Sequence, residues 1–163
     1  MVNRLQCAAE QLRDALYVTM AEAGAKPCKI FLSPSPVTPI DVCCDCGDGD
    51  GQAWVSLINT RPVGNAQNNF PCAVEIEATF TLGMARCAYT IDDLGNAPSA
   101  DELNENFERM TADYRIMKDA ISLFATEFGL FKNDYRLGDF DVHPIGGGCS
   151  AYSQYVYVNL GTC

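Results

Sequence analysis

The sequence predicts an α+β fold, a mixed or antiparallel sheet packed by an N-terminal helix and one long central helix. Three observations predict it. Apolar residues recur at helical spacing near the N-terminus and again over 103–128, polar and apolar residues alternate over 74–82, and Gly/Pro clusters separate the segments. At 163 residues, 48% of them hydrophobic, the chain is expected to form one domain, 1–163, with a core of useful size.

Taken in order, Leu5, Ala8, Ala9, Leu12, Leu16 and Met20 form one helical stripe that closes at Gly24, with Pro27 beyond. Cys28 to Leu32 reads as a short strand, ended by Ser33-Pro34-Ser35-Pro36, which supports neither ladder nor helix. Asp41 to Gly51, rich in Cys, Asp and Gly, reads as a loop, and Ala53 to Thr60 as a strand. The two long loops are expected over 33–51 and 61–71. In the next strand Val74, Ile76, Ala78, Phe80 and Leu82 form the buried row, and Glu75, Glu77, Thr79 and Thr81 the wet one.

The central helix has the clearest start. Ser99 followed by Glu102 makes a capping box, preceded by Pro98. Leu103, Phe107, Met110, Tyr114, Met117, Ile121, Phe124 and Phe128 then recur at 4-3 spacing until Gly129. Such a helix is roughly 40 Å long, more than a small sheet needs, so part of it is expected to serve a neighbour. Tyr135–Val142 and Ala151–Leu160 complete an α-β-β-β-α-β-β order, joined by a turn over Pro144 to Gly148.

Charge narrows the function. Twenty-one acidic against eleven basic residues give a net −10, which argues against a surface that grips nucleic acid. An acidic surface can instead repel DNA and let it slide past, and a closed ring multiplies that repulsion. The first twenty residues carry Arg4, Glu10, Arg13 and Asp14, so they do not read as a secretory signal, and no run is long enough to span a membrane. The expectation is synthesis in a cytosol with reduced thiols.

Nine cysteines with one histidine raise metal chemistry. Cys43-x-x-Cys46 has metal-ligand spacing, and thiolates suit tetrahedral zinc. A second close pair is lacking, and Cys72, Cys87 and Cys149 are isolated, so any site would have to be assembled through the fold, with Cys72 and Cys149 as the further candidates. The favoured reading is buried or loop thiols that oxidise after release, with no metal and no cofactor. A calcium loop over Cys46–Leu57 fails at its first and twelfth positions. His143 has no recognisable nucleophile partner, and Gly146-Gly147-Gly148 lacks the tail of a phosphate loop. The reading is therefore not an enzyme. Glu75 and Glu77, with Asp48 and Asp50 in the acidic loop, are the candidates for a lumen or ring face.

Several motifs, in order, carry a resemblance: Cys44-Asp45-Cys46-Gly47 before Ala53-Trp54-Val55, then Phe70-Pro71-Cys72, then Ala85-Arg86-Cys87-Ala88. Pro98-Ser99-Ala100 opens the long helix with Asp113 inside it, and Gly146-Gly147-Gly148-Cys149 precedes a Val-rich strand. With these, spanning most of its length, the chain resembles small virion proteins of long-tailed actinobacteriophages, the head-to-tail connection components and their tail terminators. The resemblance implies a small α+β sandwich that forms a hexameric ring at the head–tail junction of the virion, assembled in the host cytoplasm. It implies the major tail tube protein as partner on one face, the head-to-tail connector or stopper on the other, and DNA passing through the lumen without specific binding. The chain departs from that pattern in the acidic Asp48-Gly49-Asp50-Gly51 insertion and in Cys43 and Cys163. A stopper, a minor tail protein and a zinc- or thiol-binding module are the alternative readings.

Overall fold

The computed structural model describes residues 4–34, 43, 44, 46, 51–63, 75–146 and 148–161. The elements follow the order α1 (Arg4–Glu22), β1 (Lys29–Ser33), β2 (Gln52–Val63), β3 (Glu75–Cys87), α2 (Ala100–Glu127), β4 (Tyr135–Gly146) and β5 (Cys149–Asn159). The class is α+β, with two helices and one five-stranded mixed sheet ordered β1-β2-β3-β5-β4. Only β1 runs parallel to its neighbour, β2; the other pairings are antiparallel.

Both helices stop by the same device. After α1, Gly24 adopts φ +73°, its N–H donates to Ala21 O at 3.0 Å, and the Ala25 N–H reaches back to Met20 O at 2.8 Å. After α2, Gly129 repeats the pattern toward Thr126 O, and Leu130 toward Ala125 O. These are Schellman motifs, in which glycine takes the left-handed position at no Cβ cost. At its start α2 has the expected capping box: Ser99 Oγ accepts from the Glu102 N–H at 3.3 Å, and Glu102 Oε2 accepts from the Ser99 N–H at 2.8 Å.

The core lies between the helices and one face of the sheet. Leu12, Leu16 and Met20 of α1 and Met117, Ile121 and Phe124 of α2 pack on Val55, on Ala78, Phe80, Leu82 and Met84, and on Val156 and Val158. The opposite face has its own small cluster, Trp54, Ala85 and Ala151 with Phe31 against it. The Trp54 indole lies where a Cβ on Gly83 would stand, so β3 needs glycine there.

Strand β3 corrects the two-face reading. Thr79 and Thr81, expected in water, are buried, whereas Ile76, expected inside, is 40% exposed. The reason is position: β3 is the middle strand, flanked by β2 and β5, so its centre is covered on both faces while its first residues lie beyond the core. The edges of other strands also move. Strand β2 continues through Pro62, expected in a loop, because Arg61, Pro62 and Val63 pair with β3 beyond the end of β1. There β2 is an edge, where a missing N–H is tolerated. Strand β4 extends past His143 to Gly146, and Gly148 takes φ +79° in the turn to β5. Among the described residues no helix is long and apolar enough to cross a membrane.

Candidate functional site

Chemistry-bearing residues gather at one end of the sheet. The last residue of β3, Cys87, is the register partner of the first residue of β5, Cys149. The consecutive cysteines Cys43 and Cys44 are bonded to these two, as Cys43–Cys149 and Cys44–Cys87. Cys46 bonds Cys28, just before β1. One short segment is thus stapled to three strands, and the Cys28 N–H adds a bond to Gly51 O at 2.8 Å. Among the described residues only Cys7 stands outside a disulfide.

These cysteines are paired rather than free, and the C-x-x-C pair is dissolved. Cys43 and Cys46 engage different strands, so they do not converge as spacing suggested, and Cys149 is the mate of Cys43. Cys72 lies outside the described residues. In this oxidised state no group of described residues could hold a metal ion. The pairing depends on strand register, which joins Cys87 to a residue far along the chain, and no local spacing reports it.

A cleft of about 650 Å³ opens between the end of α1 and α2. Its floor is an ion pair to which sequence reasoning gave no functional role: Arg86 of β3 donates from Nε to Asp113 Oδ2 at 3.0 Å and from Nη2 to Oδ1 at 2.9 Å. Both residues are buried, at 9% and 2% exposure, and the two-pronged geometry locks α2 to the sheet. Arg109 donates to Cys87 O at 3.3 Å and pairs with Glu105. Tyr152 bonds Ser150 Oγ at 2.6 Å. Burial pushes the Tyr152 phenol above its ordinary range, and the Asp113 charge adds to that shift. The formal charges around the cleft balance, Arg86, Arg109 and Arg115 against Glu22, Asp113 and Asp119. A sequence signal for the pair existed: Asp113 is an acid four residues before Met117, on the buried side of α2.

His143 has a hydroxyl neighbour that sequence spacing did not reveal: Nε2 lies 2.8 Å from Ser153 Oγ. Ser153 is buried in the middle of β5.

The acidic candidates are dispersed. Glu75 is exposed and accepts from Asn159 Nδ2 at 3.0 Å. Glu77 is flanked by two cations, Arg61 Nη2 at 2.8 Å and Arg136 Nη2 at 3.7 Å from Oε1. Arg136 in turn lies 3.6 Å from the Tyr157 ring centre. The charge of Glu77 is therefore offset within the sheet. Asp48 and Asp50 lie outside the described residues.

Among the described residues, several large apolar side chains are exposed on and before α2. Every buried residue of that helix lies at Asp113 or later, whereas Leu103 and Phe107 are 52% and 62% exposed. Ile91 and Leu94, in the segment leading to α2, are exposed as well. No protein-family model matches this chain, and a search of curated proteins finds no match either.

Proposed function

We propose that this chain is a non-enzymatic structural subunit, a phage tail terminator that closes into a hexameric ring at the head–tail junction. The observation that carries the reading is the overhang of α2. A helix of 28 residues, about 42 Å long, has its fully buried residues only from Asp113 onward and leaves Leu103 and Phe107 exposed. An apolar surface of this kind on a soluble subunit is the signature of a contact with another protein. A closed ring with heterologous contacts needs such a surface on each copy and ends polymerisation by presenting different faces at its two ends.

Three further features support the reading. The α-β-β-β-α-β-β order accords with the resemblance to tail terminators. The net charge of −10 suits a lumen that lets DNA slide without gripping it. The staples fix the 43–46 segment to the sheet end, giving a loop-built face a rigid base. Glu75 remains the strand carboxylate suited to a lumen. Glu77 is less so, because Arg61 and Arg136 offset it.

The partners under this reading are further copies of the chain, the major tail tube protein and the head-to-tail connector. The experiment is negative-stain microscopy of purified chain mixed with polymerised tail tubes. A ring at one end of each tube supports the proposal, and tubes without a cap overturn it.

A further inference from the structure

Four of the six bonded sulfurs form one compact group. The Sγ atoms of Cys43 and Cys44 are 3.9 Å apart, and each is bonded to one of two cross-strand neighbours, Cys149 and Cys87. Their Cα atoms are 5.5 Å apart in one bonded pair and 4.4 Å in the other. The remaining bond, Cys28–Cys46, ties the same segment to the start of β1.

We propose that the reduced chain binds one zinc ion at this group, with Cys43, Cys44, Cys87 and Cys149 as a tetrahedral set of four thiolates. The set differs from the one that C-x-x-C spacing suggests, since Cys46 is directed to Cys28. The geometry carries the assignment. Zn–S bonds of about 2.3 Å in a tetrahedron place ligand sulfurs about 3.8 Å from each other. The Cys43 and Cys44 sulfurs already have that spacing. Opening the two bonds requires each bonded pair to separate by roughly 1.7 Å more. Rotation of the four side chains supplies this while the β3–β5 register stays in place.

The chemistry balances with a dithiol as reductant. Each disulfide takes two electrons and two protons and oxidises one dithiol to its own disulfide. Zn(II) then displaces four protons from the four thiols, leaving a centre of net charge −2. One cation stands near it: Arg109, which bonds the Cys87 carbonyl and also pairs with Glu105. A neighbouring cation favours thiolate over thiol. Cys44 is exposed, which gives the reductant and the metal a way in. The 43–44 segment is then clamped to the sheet in either redox state, by two disulfides or by one metal ion.

The test uses the full chain, reduced without oxygen and given Zn(II), or Co(II) as a coloured probe. Expected are one metal per chain in native mass spectrometry, the intense ultraviolet band of Co(II)–thiolate bonding, and four sulfur neighbours of zinc by X-ray absorption. Cys44→Ser with Cys149→Ser should weaken zinc binding roughly 100-fold or more, given the free energy of structural zinc sites. Cys28→Ser with Cys46→Ser should keep the metal. Because the spectra are recorded on the unaltered chain, a variant that misfolds does not blunt the test. A reduced chain that takes up no metal overturns the proposal. Fewer than four sulfur neighbours, or metal lost with Cys28 and Cys46 instead, overturns it too.

Discussion

Replacing Asp113 by Ala tests how α2 is anchored. The substitution removes the carboxylate that receives three N–H···O contacts from Arg86, at 2.9, 3.0 and 3.2 Å. Arg86 is only 9% exposed, so water cannot restore what the carboxylate supplied. Breaking a buried pair from one side costs about 3–5 kcal/mol, most of it the penalty of a buried charge that has lost its counter-ion. For a chain of this size each kcal/mol moves Tm by about 2–4 °C, so the variant should melt roughly 6–20 °C lower. The assay is urea unfolding of the oxidised chain followed by circular dichroism, with a lower midpoint and an unchanged slope. A companion variant, Arg86→Met with Asp113→Leu, should recover most of the loss, because it removes the charge along with its partner. A loss below about 1 kcal/mol in Asp113→Ala would place the pair among surface salt bridges and refute the reasoning. A double variant as unstable as the single one would refute it as well.

Gly83→Ala forces a methyl group into the Trp54 ring, and overpacking of this kind costs about 1–3 kcal/mol. Trp54 is the sole tryptophan, so a red-shifted emission reports the displacement directly. With six of nine cysteines bonded, a thiol titration of the unfolded, unreduced chain should find no more than three thiols. Removing Cys43–Cys149, whose ends are 106 residues apart, should lower stability by about 2–4 kcal/mol in a urea melt. The Glu102 carboxyl is held below its ordinary 4.5 by hydrogen bonds from the Ser99 backbone and hydroxyl. The cap it forms is complete above pH 4.5 and is lost as pH falls through the lower folded value. Ser99→Ala should move the carboxyl back toward 4.5 in an NMR titration and speed amide exchange in the first turn of α2.

Local rules read the helices well and the sheet less well. The stop at Gly129 and the box at Ser99 and Glu102 depend on residues within one turn of each other, and the structure has both. Strand β3 depends on its neighbours. The alternation from Glu75 to Leu82 is real, but the placement of β3 between β2 and β5 buries Thr79 and Thr81 along with Phe80. The parallel pairing of β1 is likewise a property of the assembled sheet. Among the site residues, Cys43 and Cys149 were legible as chemistry, but their bond spans 106 residues and follows from the β3–β5 register. Asp113 shares the buried side of α2 with Met117, which marks it as an unusual acid, but Arg86 comes from a different element 27 residues away and no local pattern names it as the partner. Glu77 reads as a free acid until Arg61 is brought to it by the neighbouring β2 and Arg136 by β4, two strands away.

Native mass spectrometry of the oxidised chain, alone and with added tail tubes, tests the ring most directly. Six copies in either condition are predicted, with Leu103→Glu plus Phe107→Glu reducing the assembly to folded monomers. A single copy in both conditions would contradict the account.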